Sequence, residues 1–586
     1  MIQTVKTILS YVKQYKLPSI LAPLFVAFEV VVDILIPYTI ASLIDKGIEQ
    51  ENFSAIMTYG AAMILLAVCG LIFGVLSGKY AAKASAGVAC NIREAMFHNI
   101  QTFSFSNIDK FSTAGLITRM TTDVSNLQMA YQMIIRMCVR SPFMLISSLF
   151  MAFLISKRLS MVFVVVMLLL TVVLSILIAL AMKRFGKVFD KFDDLNASVQ
   201  ENVSSIRVVK AFVREEYENR KFQKAAENVY RMFVSAEKIV ASNSAVMNFA
   251  VYASMISISW IGAQLITVGE LTTGQLTSLF TYVSSILMSL MMLSMIFVML
   301  SMSVASAKRI SEVLNETSDL TNPEHPDFNI PDGSVTFKDV SFSYRKDAGE
   351  PVLEHISFSV NSGETIGILG ATGSAKSSLV NLISRLYDVT EGSVLVGGKD
   401  VRTYDLDTLR NDVSVVLQKN VLFSGSILEN LRWGDKDASL DDCIRICKLA
   451  QAHDFISQFP NGYETYIEQG GTNVSGGQKQ RLCIARALLK KPKILILDDS
   501  TSAVDTATDA RIRKAFREEI PATTKFIIAQ RISSIQDADR ILVLDDGKIS
   551  GFDTHENLLE HNEIYREVYE CQTNSGGDFD EKGGAF

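Results

Sequence analysis

The sequence predicts a fold in two parts, an all-α membrane domain of six spanning helices followed by an α/β domain. Apolar residues make up 49% of the 586 residues and the mean hydropathy is +0.25, which is high for a soluble protein. The apolar excess lies before about Leu314, as a membrane domain requires. After it, short β-rich runs alternate with amphipathic helical runs, a pattern typical of a largely parallel sheet covered by helices.

Residues 1–16 predict a short helix that lies on the inner membrane surface. Four of their apolar residues share one helical face: Ile2, Val5, Leu9 and Val12. Three lysines lie outside that face: Lys6, Lys13 and Lys16. A short helix with one apolar face and a basic remainder is typical of an interfacial segment, and no cleavable signal is evident.

Residues 17–315 carry six apolar stretches long enough to cross a bilayer. They are Leu17–Leu43, Ser54–Ser77, Pro142–Ser156, Leu159–Met182, Ala245–Val268 and Leu276–Val304. The third is short, and we expect its helix to begin earlier, near Ser125. Long charged helical stretches join spans two to three and four to five, at Lys79–Arg136 and Lys183–Lys238. Lysine and arginine are concentrated in them, which predicts a multi-pass plasma or inner membrane protein with its N-terminus, both stretches and the C-terminal domain in the cytoplasm.

Two carboxylates lie within the first span. Glu29 and Asp33 are four residues apart and therefore share a helical face. Carboxylates at that depth usually line a cavity or pair with a cation. Two interpretations stay open, a polar patch that meets a cationic or amphipathic substrate, and a structural ion pair with Arg136 or Arg140.

A stripe of methionines runs along the sixth span. Its members, spaced by three or four residues, are Met288, Met291, Met292, Met295, Met299 and Met302. Methionine is flexible and polarizable, so such a stripe can adapt to varied apolar ligands. Ordinary helix packing or lipid contact is the alternative for any single methionine, whereas the whole stripe favours a face that meets a ligand.

Charge and cysteine content exclude some classes of function. The formal net charge is -6, which gives no indication of a nucleic-acid partner. The seven cysteines form no CxxC pair. Cys443 and Cys447 have helical spacing, but no histidine lies at ligand spacing, so we expect reduced packing residues and no metal site there.

Composition changes after the last span. Residues 316–333 are polar and hold three prolines, which predicts an extended linker. The α/β domain follows over 334–571, and the polar, glycine-rich tail 572–586 predicts disorder. The β-rich runs are Ser334–Tyr344, His355–Val360, Thr365–Leu369, Val413–Leu417, Ile494–Leu497, Phe526–Ala529 and Arg540–Leu544.

A glycine-rich loop between a buried strand and a helical run predicts a phosphate-binding site. Backbone amides of such a loop cradle phosphates at a helix N-terminus. Lys376 is expected to reach the terminal phosphates and Ser377 to ligate Mg²⁺, and Ala375 stands where glycine is usual. If that position needs positive φ, the added Cβ weakens or reshapes binding without abolishing it. The predicted loop residues are Gly370, Ala371, Thr372, Gly373, Ser374, Ala375, Lys376, Ser377 and Ser378.

The run Ile494–Asp498 reads as a buried strand that ends in a carboxylate. Asp498 is therefore the expected partner of Mg²⁺, through water. Between the loop and this strand lies the sequence Val474-Ser475-Gly476-Gly477-Gln478. With these three motifs the chain resembles the ATP-binding cassette (ABC) transporters over almost its whole length, and specifically an exporter half-transporter, in which six spans precede one cassette.

The resemblance assigns further residues by position. Tyr344 matches the aromatic residue that stacks on adenine, and Gln418 matches the glutamine that joins Mg²⁺ and the attacking water to the membrane domain. Ser475, Gly476, Gly477 and Gln478 match the signature that closes over the ATP held by the opposite subunit. Asp505 ends Ser502-Ala503-Val504-Asp505, which matches the loop that crosses between the two sites.

The same resemblance implies the contacts between cassette and membrane domain. Glu468-Gln469-Gly470-Gly471 matches the segment that touches the coupling helices. Those helices are expected near Ser106–Gly115 and Ser204–Phe212.

Two catalytic positions depart from the family's pattern. Asp499 stands where the family has a glutamate that polarises the attacking water, and Gln530 stands where it has a switch histidine. Aspartate is one methylene shorter, so its carboxylate ends about 1.5 Å short, and catalysis changes on the order of 100-fold for 1 Å. Glutamine can hydrogen-bond the γ-phosphate but cannot take a positive charge.

With Ala375, these departures resemble the degenerate subunit of heterodimeric bacterial exporters. Such a chain is expected to bind ATP and Mg²⁺, to hydrolyse ATP slowly, and to complete the active site of a second half-transporter through its signature. The expected cargo is amphipathic or hydrophobic: drugs, lipids or peptides. The alternatives are a homodimer with two impaired sites, an ATP-gated regulatory membrane module, and an importer of a metal chelate. The direction of transport in vesicles would distinguish the importer from an exporter.

Overall fold

The structure is a computed structural model that describes residues 2–344, 351–499 and 504–575. Within the helices a few side chains, among them that of Met302, lie outside this description. The chain forms two compact units: Met1–Thr102 with Ser112–Glu316, and Phe103–Phe111 with Thr317–Phe586. A nine-residue segment from the membrane half of the sequence thus belongs to the second unit.

The residues before the linker form ten α-helices. They are α1 (Ile2–Ser10), α2 (Lys16–Leu43), α3 (Phe53–Gln101), α4 (Phe105–Phe111), α5 (Thr113–Thr118), α6 (Val124–Ile155), α7 (Lys157–Ser204), α8 (Ile206–Ala211), α9 (Glu215–Thr267) and α10 (Thr273–Asn315). Six helices of the described residues are long and apolar enough to cross a membrane, which confirms the predicted number of spans. The third begins at Thr113, so it does start well before its apolar core.

Helices α3, α7 and α10 each follow a short connection and begin with a side-chain cap. The side chain of Asn52 accepts a hydrogen bond from Ala55 N at the start of α3, and Ser156 does the same for α7. Thr272 and Gln275 cap α10 reciprocally. Such caps satisfy amide groups that have no partner within the helix, and so allow tight turns between long helices.

The N-terminal helix differs from the prediction. Helix α1 ends at Ser10, and Lys13 has a φ of +38°. Because the helix breaks there, Val12 does not continue the apolar face of Val5 and Leu9. Ile8 and Val12 are buried, whereas Val5 and Leu9 remain exposed.

The described residues of the second unit form two large sheets and a third sheet of two short strands. The first is antiparallel in the order β2-β1-β4-β5, and the second has the order β12-β11-β3-β10-β9-β6, with every neighbouring pair parallel except β11 with β12. The parallel core sheet was predicted, but β4, β5, β7, β8 and β12 were not. The strands are β1 (Val335–Phe342), β2 (Leu353–Val360), β3 (Thr365–Leu369), β4 (Glu391–Val396), β5 (Lys399–Asp400), β6 (Val413–Val416), β7 (Gly425–Ser426), β8 (Tyr466–Ile467), β9 (Ile494–Asp498), β10 (Thr524–Ile528), β11 (Arg540–Asp545) and β12 (Lys548–Asp553).

After the linker, the described residues of this unit form nine α-helices. They are α11 (Lys376–Ile383), α12 (Leu406–Asp412), α13 (Ile427–Leu431), α14 (Leu440–Leu449), α15 (His453–Ser457), α16 (Gly476–Leu489), α17 (Thr506–Glu519), α18 (His555–His561) and α19 (Glu563–Ser575). One core lies between the two sheets and α11, and a second surrounds α14 and α16. Cys443, Cys447 and Cys483 are buried in the second core as packing residues, whereas Cys90 is exposed.

Helix α19 extends beyond the predicted end of the domain. Disorder was expected from residue 572, but the helix continues to Ser575 and Gln572 makes two hydrogen bonds. The residues of the predicted tail from 576 onward lie outside the described part of the chain.

Candidate functional site

The candidate nucleotide site lies at one edge of the parallel sheet. Ile528 of β10 is opposite Ile368 of β3 on one side and Asp498 of β9 on the other. The carboxyl ends of the three strands therefore meet at the same edge. They lead into the glycine-rich loop, the pair Asp498–Asp499, and Gln530, which is the edge where open α/β sheets bind ligands.

The glycine-rich loop joins β3 to α11 by a tight turn. A Cβ on Gly370 would lie 2.4 Å from the carbonyl oxygen of Leu544, so only glycine fits there. Lys376 Nζ donates to the carbonyl oxygens of Gly370 and Ala371, at 2.7 and 2.8 Å. The ammonium group thus lies over the turn, at the N-terminus of α11, where backbone amides and the helix dipole favour an anion.

Ala375 occupies a left-handed backbone conformation. Its φ and ψ are +69° and 22°, at the N-cap position of α11. The sequence predicts weakened or reshaped phosphate binding if this residue has a positive φ. An L-residue with a Cβ is strained in that conformation by about 1 kcal/mol or more. The methyl group packs against the core between the sheets, which offsets part of that strain.

Two residues, Asp498 and Ser377, come together at the candidate magnesium site. Asp498 is buried, and Ser377 hydrogen-bonds to its carboxylate. Burial raises the pKa of Asp498, while the Ser377 hydrogen bond and the Lys376 charge act in the opposite direction. A carboxylate beside a hydroxyl, at the mouth of a phosphate loop, is a set of hard oxygen donors that fits Mg²⁺.

Asp499 and Gln530 contact each other. Gln530 Nε2 donates to Asp499 Oδ2 at 3.3 Å, and Asp499 N donates to the carbonyl oxygen of Ile528 at 3.2 Å. Asp499 has a φ of +46°, so its backbone leaves β9 in a sharp turn. The two residues that depart from the family's pattern are therefore brought together at the sheet edge.

Gln418 follows β6, which pairs in parallel with β9. It is exposed and lies two residues beyond the end of its strand. Its backbone therefore leaves the same sheet edge as Asp498, which suits a residue that reaches the nucleotide from the side.

Tyr344 lies beside the phosphate loop. Its hydroxyl is 2.8 Å from Ser378 Oγ, and the residue is 46% exposed. The ring packs edge-on against Tyr387, with centroids 5.1 Å apart. An exposed aromatic face next to the loop agrees with the predicted contact to adenine.

Tyr387 connects this aromatic pair to α4, which the sequence did not indicate. Its hydroxyl donates to Asp109 Oδ2 at 2.9 Å, and its ring lies 6.0 Å from that of Phe105. Burial, together with the Asp109 carboxylate, raises the pKa of Tyr387. The predicted coupling segment Ser106–Gly115 begins within α4, and its Asp109 contacts Tyr387, which packs against Tyr344, the residue predicted to stack on adenine.

The signature residues begin α16. Ser475 and Gln478 cap the helix reciprocally, and Arg481 Nε donates to the carbonyl oxygen of Gly477 at 3.2 Å. Gly476 is the first residue of the helix. In the described part of the chain, the structure records no hydrogen bond between these residues and the glycine-rich loop of the same chain.

Asp505 caps α17 through a hydrogen bond from Thr508 N at 2.9 Å. The Thr508 hydroxyl and amide lower the pKa of Asp505. The preceding residues of the predicted crossing loop, Ser502 and Ala503, lie outside the described residues. In the Glu468–Gly471 segment, Gly470 and Gly471 have φ values of +73° and +69°.

Gln572 is a further residue that sequence reasoning missed. Its Nε2 donates to the carbonyl oxygen of Gln530 at 2.8 Å, and its Oε1 accepts from Ile532 N at 2.9 Å. One side chain of α19 thus holds the backbone on both sides of Arg531. Only the polar composition of this region was visible in the sequence, and it pointed to disorder.

In the membrane unit, Arg140 bridges the two partly buried carboxylates of the first span. Its Nη1 contacts Glu29 Oε1, and its Nη2 lies 2.9 Å from Asp33 Oδ2. Glu29 Oε2 is buried without a hydrogen-bond partner. Of the two open interpretations, this geometry favours the structural ion pair.

The methionine stripe lines a cavity of about 660 Å³ between α7, α9 and α10. Met291, Met292, Met295 and Met299 contribute to its wall, together with Phe185 of α7. Met288 is exposed and does not line this cavity. Four methionines of the predicted stripe therefore line a concave surface, while the side chain of Met302 lies outside the described part of the chain.

Comparisons with known proteins agree with this organisation. The family model for the ABC transporter transmembrane region matches residues 19–291, and the ABC transporter model matches residues 353–502. The uncharacterized ABC transporter ATP-binding protein YfiB of Bacillus subtilis (strain 168) is 36% identical over 572 residues, 96% of this chain and 98% of that protein. The ATP-dependent lipid A-core flippase of Desulfotalea psychrophila is 30% identical, over 97% of this chain and 99% of its own length.

A solved structure shares the fold. The structure of a bacterial Atm1-family ABC exporter with ATP bound superposes with a TM-score of 0.78 at 24% identity, and covers 97% of this chain and 99% of its own. At that identity the likeness shows the fold alone.

Proposed function

Because this chain belongs to the ABC transporter family and has six membrane spans followed by one cytoplasmic cassette, we propose that it is the degenerate-site subunit of a heterodimeric exporter. Its own site binds ATP and hydrolyses it slowly. Its signature completes a second site whose phosphate loop, glutamate and histidine come from the partner chain. The cargo is apolar or amphipathic and leaves the cytoplasm.

The contact between Asp499 and Gln530 carries the proposal of slow hydrolysis. Water activation needs a carboxylate that reaches the water and a neighbour that can share positive charge with the γ-phosphate. Asp499 is short, and its Oδ2 accepts a hydrogen bond from Gln530 Nε2. Because a glutamine amide cannot accept and return the proton, the two residues supply binding contacts and little acid–base chemistry.

The rest of the site supports ATP binding. Lys376 and the amides of the loop favour phosphate oxygens, and Tyr344 offers a ring to the base. Ser377 and Asp498 would hold Mg²⁺, which neutralises phosphate charge when bound. The strained backbone of Ala375 reshapes the loop at one position. The tight turn at Gly370, where only glycine fits, is retained.

Exposed apolar residues around α8 support a partner chain. In the short connection between α7 and α9, Val208, Phe212 and Val213 are all more than half exposed. Helix α8 has no buried residue, and its apolar residues gain stability only if another surface covers them. The signature at the start of α16 is likewise exposed at Ser475 and Gly476, which leaves it accessible to a nucleotide held by another chain.

The methionine-lined cavity supports an apolar or amphipathic cargo. Cavities of about 300–1,000 Å³ are typical of small-molecule sites, and methionine adapts to varied shapes. ATP-driven closure of the two cassettes would turn this cavity outward. Hydrolysis at the partner's site would reset it, provided that ATP binds the two conformations with different affinities.

The test is ATPase activity of the purified chain alone and in complex with a co-expressed half-transporter that has the glutamate and histidine. The proposal expects low activity alone and a large gain in the complex. Neutralising the partner's glutamate abolishes the gain, and Asp499→Asn in this chain leaves most of it. Full activity of the chain alone, lost in Asp499→Asn, would mean that Asp499 is a working base.

A further inference from the structure

A small cleft in the second unit lies where the parallel strands start, whereas the candidate nucleotide site lies at their carboxyl ends. Thr365 begins β3 and is opposite Lys525 of β10, and both line the cleft. Helix α17 forms the facing wall with Arg513, Phe516 and Arg517, which share one helical face. The volume of about 20 Å³ leaves room for one water-sized species, which needs about 10–15 Å³.

Lys525 places an ammonium group without a partner in this cleft. The residue is only 3% exposed. Within residues 2–344, 351–499 and 504–575, the structure records no hydrogen bond and no salt bridge to its Nζ. The Nζ atom is not sealed off, unlike Asp509 Oδ1, which has neither accessible surface nor a partner. The ammonium group can therefore meet a ligand in the cleft.

The two arginines of the facing wall differ in how their charge is balanced. Arg513 is held by two carboxylates, since its Nε lies 3.2 Å from Asp509 Oδ2 and its Nη1 lies 2.8 Å from Asp537 Oδ2. Arg517 Nη2 donates to the carbonyl oxygen of Asp537 at 3.3 Å. In the described part of the chain, Arg517 forms no salt bridge with a carboxylate. Lys525 and Arg517 are thus two cations of one cleft whose charges are not paired.

The nearest further carboxylate is already engaged. Asp539 Oδ2 accepts a hydrogen bond from Thr365 N at 2.7 Å. Burial lowers the pKa of Lys525, and the Arg517 charge acts in the same direction, whereas Asp539 opposes both. A buried ammonium group is stable only if its charge is compensated. One anion in so small a cleft compensates it better than one water molecule, because its charge also attracts Arg517.

We propose that this cleft binds a single chloride ion between Lys525 and Arg517. A monatomic ion of that size fits the volume, whereas a tetrahedral oxyanion such as sulfate or phosphate is larger. The ion would accept hydrogen bonds from the ammonium group and from the guanidinium group at the rim. This inference is independent of the proposed function, because it concerns the edge of the sheet away from the nucleotide.

A bound ion would also support the segment that follows Gln530. Ser534 lines the cleft, and its Oγ donates to Asp509 Oδ2 at 3.1 Å. That hydrogen bond joins the turn after Gln530 to α17, the helix capped by Asp505. Because the ion would hold α17 against the start of β10, chloride should stabilise the folded cassette.

Thermal unfolding of the full-length protein in lipid nanodiscs tests the site, in nucleotide-free buffer of constant ionic strength. Sodium chloride is replaced in steps by sodium gluconate, whose anion has the same charge but is too large for the cleft. Above the dissociation constant, each tenfold rise in chloride should shift the folding equilibrium of the cassette about tenfold toward the folded state. Bromide should act like chloride, and sulfate should act like gluconate.

Three variants locate the effect. Lys525→Met should abolish the chloride dependence, whatever it does to stability in gluconate. Arg517→Gln changes an exposed residue at the rim, and should raise the chloride concentration for half of the effect on the order of threefold. Lys514→Met is the matched control, because Lys514 is an exposed lysine of the same helix that does not line the cleft. It should leave the chloride dependence unchanged.

The contrary outcomes are equally definite. Identical unfolding in chloride and gluconate would mean that the cleft holds water only, and would overturn the site. A chloride dependence that survives both Lys525→Met and Arg517→Gln would place the ion elsewhere, and a larger effect of sulfate would exclude a monatomic ion. Because ATP takes no part in these measurements, failure of the chloride site leaves the exporter proposal standing, and failure of the exporter proposal leaves the chloride site standing.

Discussion

The side-chain amide of Gln530 donates to the carboxylate of Asp499, with Nε2 and Oδ2 3.3 Å apart. Each residue stands where a hydrolysing family member has a longer or a titratable group, and in this chain the two contact each other at the edge of the parallel sheet. Asp498, one residue earlier, keeps its position beside Ser377 and Lys376. In the proposed function, Asp498, Ser377 and Lys376 hold nucleotide and metal, while Asp499 and Gln530 are the altered pair that would otherwise activate water.

The strain at Ala375 can be measured directly. Ala375→Gly should raise the free energy of unfolding of the cassette by about 1 kcal/mol, because glycine adopts a φ of +69° without a Cβ clash. ATP binding should tighten modestly in the same variant. Gly373→Ala is the matched control, since its φ is +91° and its Cβ would meet no atom within 4 Å. It should lower stability through backbone strain alone. A destabilised Ala375→Gly would mean that packing of the methyl group outweighs the strain.

Gln572 should stabilise the segment that carries Gln530. Gln572→Ala removes two hydrogen bonds of about 1 kcal/mol each, so the amide of Ile532 should exchange hydrogen on the order of tenfold faster. Thr573→Val is the control, because the Thr573 hydroxyl bonds only to the Tyr569 carbonyl of its own helix. Unchanged exchange in Gln572→Ala, measured by mass spectrometry, would show that α19 does not hold this segment.

The pair formed by Arg140 with Glu29 and Asp33 predicts an asymmetric response to mutation. Arg140→Met leaves two carboxylates without their cation and should destabilise the membrane unit by about 3 kcal/mol. The triple variant Glu29→Gln, Asp33→Asn, Arg140→Met should recover most of that loss and keep cargo efflux. Recovery of thermal stability without recovery of efflux would instead assign the carboxylates to the cargo.

The raised pKa of Asp498 predicts a pH dependence of nucleotide binding. Burial makes its carboxyl take up a proton at a higher pH than an ordinary aspartate, and the neutral acid is a poor ligand for Mg²⁺. As the pH falls, the gain in ATP affinity on adding Mg²⁺ should therefore be lost at a higher pH than an ordinary aspartate would give. In the metal-free protein, the same shift lowers stability as the pH rises through that pKa. ATP affinity measured with and without Mg²⁺, and stability of the metal-free protein, each as a function of pH, test these two directions. Asp498→Asn should remove both pH dependences.

Much of this fold could be predicted because its patterns are strong and local. The six spans follow from apolar length, and β3, β9 and β10 are buried β-rich runs of five residues that end at their functional loops. Strands β4 and β12 were not predicted, because Gly392 and Gly551, with their polar neighbours, interrupt the apolar pattern of these strands. Their strand character comes from pairing with β1 and β11 and is not a property of their own sequences.

In the candidate site, too, only residues marked by a local sequence pattern could be predicted. The loop, Asp498, Asp499 and Gln530 were identifiable because each lies at a fixed place relative to a recognisable strand or helix. The links from Tyr387 to Asp109 and from Gln572 to Gln530 join residues 278 and 42 positions apart. No local pattern marks such partners, since only the folded arrangement brings their atoms together.

The most direct test of slow hydrolysis is a single-turnover measurement at this chain's own site, in a complex whose other site is silenced in the partner. We compare the unmodified chain with Asp499→Glu, Gln530→His and the double variant, at ATP concentrations that saturate every form. The account predicts retained ATP in the unmodified chain, partial gains in the single variants, and hydrolysis faster on the order of 100-fold in the double variant. Rapid hydrolysis by the unmodified chain, with no gain in the double variant and loss in Asp499→Asn, would contradict it.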